Sequence, residues 1–487
     1  MQDTLDPATT AFVSEEEQRL VAICAAADRY GRERKEQLRG HHQKIRVLKT
    51  ERLNSNNPRE IDKITFEIEN LSQYDPAKYL IPFEQMASPY LAGIAICDDD
   101  PKIGRRHILL GKQSLMVGSK VMVTDWRKAQ ISKLYYEWEE GEEYEDDIGD
   151  RERSGTIEKK IAYGISRREL LSLQTGAGAF EKRDGDWGEP AQQNSSVAKK
   201  EISGDHRMVD IVSLISPEQF ALITRKNEGC LYLTGGAGCG KTTVALHRLS
   251  FLIFNQPERF RAQRCLVVMF NKSLRNYVKK TSVDLLTNQL PVETFHSWAV
   301  KAMRSLGVKV SFTTTGEGGL TTLKKSSGIY AALLDYVKTP GPDSLLEDLG
   351  AFYADSALWH RHLGNMPNLD ALGRQGRRLS AGDTTEIAFD DAGVLILLGQ
   401  LRNPGMELAD ALGWYDHVLV DEAQDLSLVE LHALMFATTQ RRSLTVCADE
   451  KQKILDFVDS AGFSAFQMEL QNAGLSSGEL NISYRST

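Results

Sequence analysis

The chain predicts an α/β fold, a parallel sheet carrying a phosphate-binding loop, preceded by an α-helical hairpin and a small β-rich domain. Three observations carry that prediction. Leu231–Thr234 is a short apolar run, followed by Gly235-Gly236-Ala237-Gly238-Cys239-Gly240-Lys241-Thr242 and then the amphipathic segment Val244–Phe254. Strand, G-x-x-x-x-G-K-T turn and helix in that order are the context a phosphate-binding loop requires. Further apolar runs at Cys265–Phe270, His417–Val420 and Ser443–Ala448 alternate with helical patterns, as the strands of a parallel sheet do. Ahead of them, helical periodicity gives way to short strand-like runs separated by polar and glycine turns.

In chain order, residues 14–53 read as one long helix, with Leu20, Ile23, Ala27, Tyr30, Leu38, Ile45 and Leu48 at helical spacing. Asn54-Ser55-Asn56-Asn57-Pro58 is a strong turn, and Arg59–Leu71 resumes the pattern, which makes residues 1–75 a hairpin of unequal arms. Residues 76–180 form the β-rich domain, with strands expected at Tyr90–Cys97, His107–Leu110, Ser119–Val123, Ile131–Trp138 and Thr156–Ile165. Within it, nine of the fourteen residues Glu137–Asp150 are acidic, which predicts a solvated, mobile loop. Residues 181–207 read as a linker. The α/β domain occupies 208–299 and 406–487, interrupted by a mostly helical insertion at 300–405.

At 487 residues there is material for about three domains. Hydrophobic content of 41% and charged content of 26% are those of a globular protein. No apolar run approaches the roughly 20 residues of a membrane span, and Met1–Gln18 lacks the pattern of a signal peptide. The six cysteines show no C-x-x-C spacing and read as free thiols of a cytoplasmic protein. The net charge of −8 leaves the whole molecule without a basic nucleic-acid footprint, so any such contact must be local.

The chemistry concentrates in the α/β domain. Gly235, Gly238 and Gly240 let the loop curl, so that the backbone N–H groups of Gly236, Ala237, Cys239 and their neighbours point at phosphate oxygens. The helix beginning near Thr243 adds its positive end. Lys241 is expected on the β- and γ-phosphates of ATP and Thr242 on Mg²⁺. The run Tyr415–Val420 delivers Asp421 and Glu422 to a strand end, Asp421 for the Mg²⁺ shell and Glu422 to polarise the attacking water. Gln219, one helix ahead of the loop, has an amide suited to both polar edges of adenine. Gln452 follows the next strand as a γ-phosphate sensor, and Arg485 sits where an arginine finger would stand.

Taken in order, Gln219, the loop 235–242, Thr294-Phe295-His296-Ser297-Trp298, Asp421-Glu422-Ala423-Gln424-Asp425, Asp449 with Gln452, and Tyr484-Arg485-Ser486-Thr487 closely resemble UvrD/Rep-type superfamily 1 helicases. The resemblance covers about 208–487 less the insertion. It implies a RecA-like P-loop NTPase domain, ATP hydrolysis, and single-strand contacts by Asn271, Lys272, Phe295, His296, Ser297 and Phe457. The front of the chain narrows it. Ser88-Pro89-Tyr90, Arg105–Gly111, Asp125-Trp126-Arg127, Leu134-Tyr135-Tyr136 and Met208–Val212 look like the HelD branch, bacterial ATPases that bind RNA polymerase. That resemblance implies remodelling or release of polymerase–nucleic acid complexes, with the hairpin and the insertion as channel probes. A UvrD-like 3′–5′ DNA helicase on single-stranded or duplex DNA, and a non-hydrolysing ATP-binding regulatory module, are the alternatives.

The chain departs from that pattern in four places. Ala448 stands where the family has Gly. Leu455, Phe457 and Val458 replace the usual Tyr, Trp and Arg, so Phe457 alone keeps a ring for base stacking. The hairpin tip is neutral and its second arm short. The family's second RecA-like domain does not follow Arg485, so completion of the cleft in cis or in trans is expected.

Overall fold

The computed structural model describes residues 5–55, 57–73, 88–117, 120–148, 151–183, 185–189, 215–225, 230–236, 238–269, 275, 290–313, 318–364, 366–403, 415–438, 443–449, 464, 466–469 and 476–480. The chain divides into two units, residues 1–220 and 221–487. Among the described residues no helix is long and apolar enough to cross a membrane, and all six cysteines are free.

The first unit opens with α1 (Pro7–Asn54) and α2 (Pro58–Gln73). Helix α1 starts seven residues before the expected boundary. Asp6 caps it by accepting from the N–H groups of Ala8 and Thr9, with Pro7 preset for the first turn. It ends where Asn54-Ser55 meets the Asn-Pro turn. The inner part of α1 is anchored. Val13, Leu20, Ile23 and Ala27 are buried in one cluster with Tyr90, just ahead of β1, and with Leu109, Val123, Ile161 and Tyr163 of the strands. Buried Glu16 accepts from Tyr163 Oη at 2.8 Å, and Glu17 from Lys182 and Trp187. Hairpin and strands therefore share one core.

Those strands are β1 (Ala92–Asp98), β2 (Arg105–Gly111), β3 (Leu115–Val117), β4 (Lys120–Asp125), β5 (Glu143–Asp147), β6 (Glu152–Ser166), β7 (Glu169–Thr175), β8 (Gly178–Arg183) and β9 (Asp186–Gly188). They form one sheet in the order β3-β4-β2-β1-β6-β7-β8-β9, with β5 also on β6. Every pairing is antiparallel except β2 with β4.

Three expectations are corrected here. Ile131–Trp138 is not a strand; Ala129–Tyr136 is helix α3. Asp125 Oδ1 accepts from Arg127 N at 2.9 Å in a tight turn, and Ser132 Oγ donates to Trp126 O at 2.5 Å, so the polar bonds fix a helical return. Burial of Leu134, Tyr135 and Tyr136 then outweighs their strand propensity. The acidic stretch is not all loop, because Glu143–Asp147 forms β5, whose backbone pairs antiparallel with β6 while Tyr144 is buried. Nor does the sheet stop at 180, since β8 and β9 extend into the expected linker.

In the second unit a six-stranded, wholly parallel sheet has the order β12-β11-β15-β16-β10-β17. Its strands are β10 (Cys230–Gly235), β11 (Cys265–Met269), β12 (Val292–Thr294), β15 (His417–Val420), β16 (Leu444–Ala448) and β17 (Ser476–Leu480). Cys265–Met269, His417–Val420 and Leu444–Ala448 are buried at every position, as apolar runs without alternation require.

Helix α4 (Pro217–Thr224) precedes β10, and α5 (Lys241–Asn255) follows it. After β12 come α6 (Phe295–Ser305) and the insertion. This holds α7 (Gly318–Lys324), α8 (Ser327–Tyr336), α9 (Leu345–Ala354), α10 (Ser356–Leu363), α11 (Leu369–Ser380) and α12 (Asp391–Arg402). The short strands β13 (Ser311–Thr313) and β14 (Glu386–Ala388) pair in parallel within it. Trp298, Tyr353, Trp359 and Leu395 belong to the same apolar cluster as Tyr232 and Val418, so insertion and sheet are one packed body.

Candidate nucleotide site

Each strongly indicated residue stands where a parallel strand ends at its carboxyl edge, the side on which open α/β sheets bind ligands. Strand β10 runs out at Gly235, β15 at Val420 and β16 at Ala448, and β10 and β15 both pair with β16. Gly235, Gly238 and Gly240 adopt φ of 150°, 75° and 90°. A Cβ on Gly235 would collide with the Leu480 carbonyl oxygen and Cys239 Sγ, so glycine is required there for space as well as conformation. Gly240 turns the chain into α5, whose unbonded N–H groups face the loop.

Lys241 is the first residue of that helix and is 8% exposed. Its Nζ donates to Gly235 O at 2.7 Å and Gly236 O at 2.9 Å, and lies 3.6 Å from Asp449 Oδ2. The ammonium is thus held over the loop's hollow by carbonyl oxygens. An incoming phosphate meets a cation already in place.

Thr242 Oγ1 lies 3.0 Å from both carboxylate oxygens of Asp421 and donates to them. Burial, then the neighbouring Glu422 charge, pushes the Asp421 carboxyl up to about 7. A hydroxyl and a carboxyl beside a second acidic group are hard oxygen donors, and they fit Mg²⁺. Glu422 has φ 52°, in the left-handed region. Gln424 Nε2 donates to Glu422 Oε2 at 2.6 Å, while Gln424 Oε1 accepts from Asp449 N at 3.0 Å. Gln424 therefore ties the ends of β15 and β16 together. It was visible in the motif, but its partner 25 residues away was not.

Gln219 is 6% exposed and engaged locally. Its Oε1 accepts from Ser216 N and its N donates to Ser216 Oγ, both at 3.3 Å, a reciprocal cap at the head of α4. The C-terminal carbonyls of that region are held as well. The buried Arg248 of α5 donates through Nη1 to Leu222 O, Ile223 O and Arg225 O at 2.9–3.2 Å.

The nucleic-acid candidates separate. Phe295 is corrected to a core residue: it is 3% exposed and packs against Trp298 because α6 turns that face inward. His296 is exposed, and Ser297 donates through Oγ to Glu293 Oε2 at 2.7 Å. A residue that sequence reasoning missed joins them. Phe389, beside β14, meets His296 edge-on at 5.4 Å and stacks on Phe312 at 4.6 Å and 8°. Only the fold brings the insertion's ring to α6. Ala237, Asn271, Lys272, Gln452, Phe457 and Arg485 lie outside the described residues.

A family model described as an AAA domain matches residues 218–458. The chain is 21% identical over 301 residues to the "Probable DNA helicase II homolog" of Mycoplasma capricolum, covering 57% of this chain and 40% of the relative. It is 24% identical over 307 residues to that of Rickettsia conorii, covering 57% and 44%. It is 21% identical over 285 residues to "ATP-dependent DNA helicase srs2" of Schizosaccharomyces pombe, covering 52% and 31%. The chain spans less than half the length of each of these relatives.

With the parallel sheet, the glycine loop and the acidic strand ends, these matches make the second unit similar to the ATP-binding domains of helicase-type P-loop hydrolases. Within that class they support a UvrD/Rep-type superfamily 1 helicase module.

Proposed function

We propose that the chain is the ATP-binding part of a superfamily 1 motor that acts on nucleic-acid complexes. One observation carries this: adjacent Lys241 and Thr242 reach two other strand ends, Lys241 Nζ lying 3.6 Å from Asp449 Oδ2 and Thr242 Oγ1 3.0 Å from both oxygens of Asp421. Thr242 and Asp421 would hold Mg²⁺, which when bound offsets phosphate charge. Lys241 and the loop N–H groups hold the phosphates, and Glu422, oriented by Gln424, accepts the proton of the attacking water. Lys241→Ala should abolish the rise in melting temperature with ATP and Mg²⁺. An unchanged rise would place the phosphates elsewhere.

For the target, the motor acts HelD-like on RNA polymerase–nucleic acid complexes. Supporting this are the hairpin with its 48-residue first helix and the helical insertion in the ATP-binding domain. Co-purification with RNA polymerase tests it, and loss of capture from a well-expressed sample would overturn it. The named relatives favour a second reading, translocation on DNA. There the exposed rings of His296 and Phe389 would stack on bases, a contact worth roughly 1–3 kcal/mol per base.

A further inference from the structure

The outer half of α1 differs sharply in charge from the rest of the molecule. Arg32–Arg52 holds eight Lys and Arg against three Glu, a balance of +5 in a chain whose net charge is −8. The charges are also ordered. Arg32, Lys35, Arg39, His42, Arg46 and Lys49 recur at intervals of three and four, which puts them on one face of a helix. All six are exposed. At about 1.5 Å per residue the row is roughly 25 Å long, with five cations and one imidazole along it.

The other faces are used differently. Leu48 is buried, Leu38 and Ile45 are half-buried, and Lys44 pairs with Glu67 of α2 at 3.2 Å. Glu33, Glu36 and Glu51 fall away from the row, each at least about 90° from its centre at 100° per residue. An open depression of about 710 Å³ follows the same part of the helix, lined by Arg39, His42 and Arg46 and also by Val47 and Glu51. A row of five flexible cations on one helix face complements a polymer of regularly spaced anions. The row holds no aromatic ring of the kind that anchors a protein hot spot, and Val47 is the one apolar side chain lining the depression beside it.

We propose that this face of α1 is a nucleic-acid docking surface, binding the phosphodiester backbone without reading sequence. The proposal rests on the reading of the chain as a nucleic-acid motor and gives it a second grip, outside the ATP-binding unit. It also supplies the local basic surface that an acidic protein needs in order to hold nucleic acid.

The test is fluorescence anisotropy of the full chain with a 30-nucleotide single strand and a 30-base-pair duplex, between 50 and 200 mM KCl. Each phosphate contact adds roughly 0.9 to the slope of log affinity against log salt on duplex, and roughly 0.7 on single strands. Removing three cations with R39Q/R46Q/K49Q should lower the slope by about 2–3 and weaken binding at 50 mM at least about tenfold. Glutamine keeps helix propensity, so the ATP-dependent melting shift should be unchanged. K102Q/K120Q/R183Q removes the same charge from exposed strand and turn positions and should leave slope and affinity near wild type.

Equal losses in both triple variants would overturn the proposal in favour of a net-charge effect. An R39Q/R46Q/K49Q variant that binds nucleic acid normally, while His296→Ala or Phe389→Ala weakens binding, would remove the docking surface and leave the motor reading standing. Normal nucleic-acid binding with lost capture of RNA polymerase would reassign the face to a protein. Absence of binding by the wild-type chain would remove the surface and the nucleic-acid half of the motor reading together, while the melting shift with ATP still judged the nucleotide site.

Discussion

Two groups of buried charge lie in the second unit, and they are satisfied to different degrees. In the insertion, Lys324 and Asp391 are 2% and 0% exposed and 2.6 Å apart. Asp391 also accepts from Tyr353 Oη, Gln375 Nε2 and Ala388 N at 2.8–2.9 Å. Next door, Lys325 reaches Glu430 at 3.1 Å. Burial pushes the Glu430 carboxyl up, yet Lys325 and Ser427 together hold it below the ordinary range. At the phosphate loop the charges are as deeply buried but loosely matched. Lys241 rests on two carbonyls with Asp449 at 3.6 Å, and the Asp421 carboxyl is pushed up to about 7. Burial alone therefore does not separate a structural charge from a functional one. The insertion's charges are closed by protein, whereas those of the loop keep capacity for a ligand.

The sharpest way to break that contrast is Asp391→Ala. It strands the Lys324 ammonium and three donors in the core, and should cost about 3–5 kcal/mol in urea unfolding. Asp391→Asn, which keeps acceptor oxygen but loses the charge, should cost less. A loss under about 1 kcal/mol for the alanine variant would show that the insertion's pair is as open as the loop's.

A smaller effect comes from a buried group that avoids charge altogether. His417 bridges Ser443 Oγ at 2.8 Å and Thr445 Oγ1 at 3.1 Å. Burial, aided by Arg248 and Arg259, pushes its imidazole down to about 3. The unfolded chain binds this proton below about 6.5 and the folded chain does so only near 3. The contribution is therefore complete above 6.5 and is lost as the pH falls towards 3, about 3 kcal/mol of it between pH 6.5 and 4. His417→Gln should flatten the fall in unfolding free energy between pH 6.5 and 4. A slope equal to wild type would mean that His417 is protonated in the fold.

Much of this was legible in sequence, and what was not shares a cause. The loop 235–242 and Asp421-Glu422 were readable because glycine geometry and a strand-end carboxylate pair are local requirements. Four of the sheet's six strands were readable because both of its faces are covered, which leaves unbroken apolar runs; the short β12 and the polar β17 at its two edges carry no such run. Helix α3 was misread because Leu134-Tyr135-Tyr136 suits either element until the Trp126–Ser132 bond selects one. Phe295 was misread because a motif states that a ring is present and not which way α6 turns it. Phe389 and Gln424 acquire meaning only from partners far along the chain. The basic row on α1 was present in the sequence but hidden by the acidic average.

Gln424 offers the finest probe of the loosely matched group. Gln424→Ala removes the donor to Glu422 and the acceptor for Asp449 N, a loss of about 1 kcal/mol beyond which the site should survive. Gln424→Glu keeps the acceptor but sets a carboxylate against Glu422 where an amide stood at 2.6 Å, so it should destabilise the apo chain more than alanine does. Neither change touches Lys241 or Thr242, and ATP with Mg²⁺ should still raise the melting temperature of both. If Gln424→Ala abolishes that rise as Lys241→Ala is expected to, then the tie between β15 and β16 is itself part of phosphate binding. The loop's charges would then depend on a closed protein network, much as those of the insertion do.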